Sequence, residues 1–366
     1  MIKCYAQNRR EITHFFNKIV SSPLMILKNF EDLTVYLNSP RNIVIIGHRN
    51  PDGDAVGSTL GLKHYLDKKG HTANVVMPNE YPDFLHWLPG SDTVKRFDHQ
   101  NKQSVRALEK SDIVFLLDFN ALHRVGDDMK NTLEKYKNDF ALIDHHQQPD
   151  DFAYMYSDTA MSSTCEMVYN FIEMNNDVDL IDENIATCIY TGIMTDTGSF
   201  RFRSTTSKTH NIIATLIDKG AKNDRIHNNV YDANSYGRLQ LLGQALTNLK
   251  IVEDCHTAFI TLTQEEKNKF NFEKGDTEGV VNYALSVKGI NLAAIFIEDV
   301  EQGIIKISFR SKGKFSVNQF ARKYYNGGGH DNAAGGRSLD NMQETAEKFI
   351  ALVKNYKQEL ATSYEA

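Results

Sequence analysis

The sequence predicts an α/β protein: a doubly wound parallel-sheet domain, followed by a smaller mixed α/β C-terminal domain. Three observations carry that prediction. Over the first two thirds of the chain, short apolar runs alternate with helical patterns, as right-handed strand–helix–strand units require. Beyond about residue 250 the pattern changes to apolar runs able to pair as a hairpin, with helices around them. The length of 366 residues fits two domains at roughly 150 residues each.

The first strand is Asn42–Ile46 (NIVII), followed by a helix from Ser58 to Lys69 with Leu62, Tyr65 and Leu66 at helical spacing. Ala73–Met77 is a weaker strand; Asp112–Leu117 (DIVFLL) and Phe140–Ile143 (FALI) are strong ones. Helices are expected at Ser163–Met174, Asn184–Met194 and Ser207–Lys219. Lys222–Lys250 is polar and helix-like, and reads as a helical linker. In the second domain, His256–Leu262, Leu292–Ile297 and Gly303–Phe309 read as strands, the last two joined about Glu298–Gln302. Helices are expected at Thr277–Val287, Ser316–Tyr325 and Met342–Glu359. The expected division is an N-terminal extension over 1–24, a first domain over 25–221, the linker over 222–250 and a second domain over 251–360.

Composition removes several classes of function. With 41% hydrophobic and 24% charged residues, the chain is neither disordered nor fibrous. A net charge of −6, from 41 basic and 47 acidic residues, argues against a broad duplex-DNA surface. Cys4, Cys165, Cys188 and Cys255 form no C-x-x-C pair, so the chain reads as a reduced, cytoplasmic protein without a disulfide framework or zinc cluster. No run approaches the ~18–20 apolar residues of a membrane span, and Met1–Leu27 lacks the apolar core of a secretory signal.

Three apolar runs end in ionisable residues. NIVIIG leads into His48, Asp52 and Asp54 (HRNPDGD), DIVFLL into Asp118, and FALI into Asp144, His145 and His146. In an open parallel sheet the carboxyl ends of the strands face one crevice. These residues should therefore converge despite lying nearly a hundred positions apart. A single Asp after a strand is ordinary turn or cap chemistry; three such endings in the same topological place are not. Four or five carboxylates in one crevice repel one another, and bound cations resolve the repulsion. Mixed carboxylate and imidazole donors suit Mn²⁺, and less selectively Fe²⁺, Co²⁺ or Mg²⁺. The donors are too many for one ion, so a carboxylate-bridged pair is expected, an arrangement suited to phosphoester hydrolysis. Asp196, in TGIMTDTGSF, is a fourth candidate that reads equally as a helix C-terminal turn.

Between Phe309 and Arg337 lie six basic residues (Arg310, Lys312, Lys314, Arg322, Lys323, Arg337) against one acid, Asp331. Gly327, Gly328 and Gly329 let backbone N–H groups approach an anion, and Arg310 at a strand end could clamp a phosphate in bidentate fashion. Lys312, Lys314 and Lys323 read as a solvated face, and Tyr324 and Tyr325 as helix packing in preference to base stacking.

HRNPDGDAVGS (His48–Ser58), LLDFN with Asp118, IDHH (Ile143–His146) and TGIMTDTGSF with Asp196 resemble, in order and spacing, the four motifs of the DHH phosphoesterase superfamily. SFRSKGKFSVNQFARKYYNGGGHDNAAGG (Ser308–Gly336) resembles its DHH-associated domain. The combination is most similar to bacterial nanoRNases that also act as pAp phosphatases, and the likeness runs from about Met25 to about Tyr356. It implies that His48, Asp52 and Asp118 hold one metal. Asp54, Asp118, His145 and Asp196 would hold the other, with Asp118 bridging. His146 would face the scissile phosphate as a donor or general acid, Asp144 would orient the histidines, and Asn50 would contact phosphate. Arg310, the Gly327–Gly329 loop and His330 would grip the rest of the substrate, with the active site in an inter-domain cleft. The implied cofactors are two divalent ions, manganese foremost. The implied partners are short single-stranded RNA or small phosphorylated nucleotides, with no duplex DNA, no membrane and room for a homodimer. The alternatives are a linear or cyclic dinucleotide phosphodiesterase and, from another class, a non-catalytic nucleotide sensor. A manganese pyrophosphatase ranks lower, because it is not expected to carry the Gly-Gly-Gly-His domain; a RecJ-like exonuclease would need further domains.

Overall fold

The computed structural model describes residues 25–363, so the expected extension over 1–24 lies outside the described residues. The chain divides into two compact units between Ala233 and Asn234.

The first unit is built on seven strands: β1 (Met25–Lys28), β2 (Asn42–Ile46), β3 (Thr72–Met77), β4 (Lys95–Arg96), β5 (Ile113–Leu117), β6 (Phe140–Asp144) and β7 (Tyr154–Asp158). Their spatial order is β1-β7-β6-β5-β2-β3-β4. All neighbours are parallel except β1, which pairs antiparallel with β7 at the edge. Alternate residues of each strand enter different cores. Ile43, Ile45, Val75, Phe115 and Ile143 face one side, while Val44, Ile46, Val76, Val114 and Leu142 face the other. Both faces are thus covered, which is why the strands read as unbroken apolar runs.

Among the described residues, eight α-helices accompany this sheet: α1 (Phe30–Tyr36), α2 (Gly53–Lys68), α3 (Asn101–Lys110), α4 (Asp127–Leu133), α5 (Thr164–Met174), α6 (Glu183–Asp196), α7 (Ser207–Asp218) and α8 (Asn223–Tyr231). Helices α2, α5 and α6 bury Val56, Val168 and Ile189 on one face, and α3 and α4 bury Leu108 and Met129 on the other. Helix α2 begins five residues before the expected Ser58. The Asp52 carboxylate caps it, accepting from the amides of Asp54 (3.0 Å) and Ala55 (3.1 Å). The PDGD turn is therefore also a helix start. Strands β1, β4 and β7 and helices α1, α3 and α4 were not foreseen; β7 (YMYSD) lacks the unbroken apolar character of its neighbours.

The second unit carries β8 (Lys250–Val252), β9 (Thr257–Leu262), β10 (Leu292–Asp299), β11 (Ile304–Ser311), β12 (Gly328–His330) and β13 (Ala333–Ser338), in the order β12-β13-β11-β10-β9-β8. Only β9 and β10 run parallel. Its helices are α9 (Tyr236–Thr247), α10 (Gln264–Lys269), α11 (Val280–Ser286), α12 (Val317–Tyr324), α13 (Met342–Lys354) and α14 (Lys357–Thr362). The expected hairpin is β10–β11, and the single expected helix over 342–359 is divided at Asn355–Tyr356. Tyr325 is buried among Phe309, Phe320 and Phe349, so it packs.

The segment expected as one linker holds a helix of each unit. Helix α8 buries Ile226 and Val230 in the first unit's core, and α9 buries Leu241 and Ala245 in the second's. Its polar composition reflects two amphipathic helices, each with one exposed face. Among the described residues, no helix is long and apolar enough to cross a membrane.

Candidate metal centre

In the first unit the expected residues meet at the carboxyl ends of the strands. His48 follows β2, Asp52 caps α2, and Asp54 lies in that helix's first turn. Asp118 follows β5 with φ of 64°, a left-handed conformation that Asp tolerates better than most residues and that functional sites often retain. Asp144 ends β6 and is followed by His145 and His146. Asp196 is the last residue of α6, so the helix-end reading and the ligand reading of that residue coexist.

Two groupings of these atoms centre on His48 and on His145, and Asp118 with Asp144 also meets His146. His48 Nε2 lies 3.8 Å from Asp52 Oδ1 and 3.4 Å from Asp118 Oδ2. His145 Nε2 lies 3.5 Å from Asp118 Oδ1, 3.5 Å from Asp196 Oδ2 and 3.8 Å from Asp54 Oδ2. Asp118 therefore turns one oxygen toward each cluster. The donor atoms of His48, Asp52 and Asp118, and likewise those of Asp54, His145 and Asp196, lie within 4.8 Å of one another. Asp54 and Asp118 are deeply buried, whereas the Asp52 and Asp196 side chains are 47% and 28% exposed, so the group opens on their side.

The imidazoles are oriented for this task. His48 Nδ1 lies 2.9 Å from the Arg49 carbonyl, His145 Nδ1 3.3 Å from the Met161 carbonyl, and His146 Nδ1 2.7 Å from Asp144 Oδ1. A carbonyl only accepts, so Nδ1 of His48 and of His145 carries a proton and Nε2 faces the carboxylates, the arrangement of a metal-ligating histidine. Asp144 thus contacts the ring of His146.

Charge in this group is heavily perturbed. Burial alone would lower His48, but the Asp118 and Asp52 carboxylates outweigh it and push its pKa to about 10. His145 is likewise raised against burial by Asp118, Asp196 and Asp54. Burial, then repulsion from Asp118 and Asp196, raises Asp54 well above the usual carboxylate range. Burial also raises Asp196, to about 6. Asp118 goes the other way: hydrogen bonds from His145 and His48 overcome its burial. The donor set, hard oxygens with imidazole nitrogens, fits divalent ions.

Residues 161–165 complete the group, and sequence reasoning missed them. The amides of Thr164 and Cys165 donate to Asp54 Oδ2 (2.6 Å) and Oδ1 (2.9 Å), and the Thr164 hydroxyl donates to Asp118 Oδ1 (3.1 Å). The S-x-x-E pattern Ser163–Glu166 did mark a helix start there, and Ser163 caps α5. Which carboxylate that start meets is not written in the sequence. Asn50, with φ of 56°, is exposed at the rim: its amide donates to Asn79 Oδ1 (2.7 Å), and Asn79 Nδ2 donates to its Oδ1 (2.9 Å).

In the second unit, Arg310 on β11 pairs with Ala333 on β13, which pairs with His330 on β12. The two candidate phosphate contacts thus share one row across the sheet, with a small residue between them. The glycines differ from one another. A Cβ on Gly327 would lie 2.0 Å from the Gly335 carbonyl oxygen, and one on Gly329, at φ of 145°, 2.5 Å from that of Ala333. Gly328 meets nothing closer than Arg322 Nε at 3.8 Å. Two of the three are thus demanded by the hairpin itself, and only Gly328 is not.

Fold and site together define a metal-dependent phosphoesterase. The match to known families gives the particular kind. The DHH family, N-terminal domain, matches residues 42–193, and the DHHA1 domain matches residues 255–359. The chain belongs to the DHH family. It is 31% identical over 319 residues to the bifunctional oligoribonuclease and PAP phosphatase NrnA of Thermus thermophilus, covering 85% of this chain and 89% of that one. It is 29% identical over 313 residues to the protein of the same name in Bacillus subtilis, covering 84% and 92%. The crystal structure of an exopolyphosphatase-related protein from Bacteroides fragilis superposes with a TM-score of 0.86 at 39% identity, covering 93% of this chain and 99% of that one.

Proposed function

We propose that this protein is a cytoplasmic two-metal phosphoesterase, loaded with manganese, that hydrolyses short oligoribonucleotides and dephosphorylates 3′-phosphoadenosine 5′-phosphate. One observation carries the two-metal reading: the Asp118 carboxylate, almost fully buried, turns Oδ2 to His48 and Oδ1 to His145. The names of the Thermus and Bacillus relatives support the substrate class.

His48, Asp52 and Asp118 would hold one ion, and Asp54, Asp118, His145 and Asp196 the other. Divalent ions there supply Lewis acidity, which acidifies water and neutralises charge on phosphoryl oxygens. The chain's own groups do the rest. Asp144 accepts from His146 Nδ1, fixing the ring so that Nε2 can give a proton to the leaving oxygen. Asn50, whose backbone amide and side-chain oxygen are both engaged by Asn79, would offer its side-chain Nδ2 to a phosphoryl oxygen. Arg310, His330 and the Gly327–Gly329 backbone grip the remaining phosphate or sugar and so fix which ester reacts.

The test is a substrate panel with purified protein and Mn²⁺: RNA dinucleotide, RNA pentanucleotide, 3′-phosphoadenosine 5′-phosphate, cyclic dinucleotide and pyrophosphate. Turnover of the RNAs and of the 3′-phosphoadenosine substrate is expected. Turnover of pyrophosphate or cyclic dinucleotide alone would overturn the substrate assignment, and no metal-dependent turnover would favour a sensor.

A further inference from the structure

We propose that Thr164 is a positioning residue that sets how Asp118 divides its oxygens, and thereby selectively sets the metal affinity of the Asp54–His145–Asp196 cluster. This rests on the two-metal reading above. Thr164 is fully buried at the first position of α5. Its hydroxyl donates to Asp118 Oδ1 at 3.1 Å, the oxygen on His145's side, while Oδ2 faces His48. The terminal torsion of an Asp side chain is broad and only weakly restrained on its own. Asp118 lies beyond the end of β5, outside any strand or helix. A donor fixed on Oδ1 therefore holds that oxygen on His145's side, while Oδ2 keeps its own contact with His48.

The two clusters are supported differently. Asp52 is held by the amides of its own helix, at Asp54 and Ala55, and His48 by the neighbouring Arg49 carbonyl. Those contacts are local and do not involve α5. The other cluster depends on one distant segment: the Met161 carbonyl accepts a hydrogen bond from His145 Nδ1, and the Thr164 and Cys165 amides donate to the two oxygens of Asp54. Helix packing seats that segment tightly, because a Cβ on Gly192 of α6 would lie 2.1 Å from Cys165 Sγ. Losing the Thr164 hydroxyl should therefore disturb one cluster and spare the other.

The test uses the full chain, stripped of metal and titrated with Mn²⁺ alone by calorimetry. Thr164→Val removes the hydroxyl while keeping the shape and the backbone donor; Thr164→Ala removes it without adding a methyl against a carboxylate; Thr164→Ser restores it. In Val and Ala, one of two Mn²⁺ affinities should fall about 10–100-fold, the scale for lost outer hydrogen bonds. The other should stay within about twofold, and Ser should match the parent. Unchanged affinities, an equal fall in both, or a Ser variant that behaves like Val would overturn the role. Fewer than two Mn²⁺ in the unmutated chain would instead bring down the two-metal reading, which is how the two failures are told apart. Thermal melts of the metal-free variants report any packing loss separately.

Discussion

The two candidate regions are built on opposite plans. In the first unit each candidate acidic or imidazole ligand stands at or next to the end of an element, and parallel topology brings those ends together. The group is buried, internally hydrogen-bonded and strongly perturbed in its protonation. In the second unit the candidate contacts are half-buried and lie across three neighbouring antiparallel strands, of which β12 is the edge, with Arg310, Ala333 and His330 in register. The lesson is that the first region is preorganised for chemistry, whereas the second is a surface whose glycines serve its own hairpin as much as any ligand.

The largest expected effect tests the first region. Asp118→Asn should lower turnover by at least about 10²–10³-fold, the scale of losing a positioned electrostatic group, and should also lower the melting temperature of the metal-free protein, because folding favours the ionised Asp118 carboxylate beside His145 and His48. Near-normal turnover would break the contrast, because the bridging carboxylate would then be dispensable.

Next comes pH. Folding raises Asp196 from 3.8 to about 6. A carboxyl raised in this way stabilises the metal-free fold fully below its unfolded value and loses that contribution as pH rises through about 6. A cation reverses the balance by taking the proton's place. Mn²⁺ should therefore raise the melting temperature more at about pH 7 than at about pH 5. An equal or larger shift in acid would contradict the assignment of Asp196 to the metal.

Two smaller effects sharpen the second region. Arg310→Ala should raise KM about tenfold or more, the value of a charged hydrogen bond, with a lesser change in kcat; an unmoved KM would remove the clamp. Gly327→Ala and Gly329→Ala should each destabilise the protein by about 1–3 kcal/mol through overpacking. Gly328→Ala should leave the melting temperature almost unchanged and raise KM. If all three behaved alike in thermal melts, the distinction between hairpin glycine and ligand glycine would fail.

How far each region was legible in the sequence follows from the same contrast. His48, Asp118 and His145 were readable because a strand's direction and its end are local properties, and the rule for parallel sheets supplies the convergence. Asp196 stayed ambiguous because a helix end says nothing about where it points. Thr164 and Met161 were invisible: their hydrogen bonds to Asp118 and His145 depend on how β7 and α5 are set beside β5 and β6, and β7 itself was missed. In the second unit the Gly-Gly-Gly-His run was noticed, but what each glycine is for depends on the carbonyls opposite, which only the β12–β13 register reveals. In the polar segment over 222–250, composition likewise does not show that each half buries its few apolar residues in a different core.

The central claim is that Asp118 joins two ion clusters. Electron paramagnetic resonance of the Mn²⁺-loaded protein, with the bound metal counted, tests it most directly. The account predicts two ions per chain with an exchange-coupled signal that collapses to uncoupled Mn²⁺ in Asp118→Asn. One ion per chain, or two that are uncoupled in the unmutated protein, would contradict it.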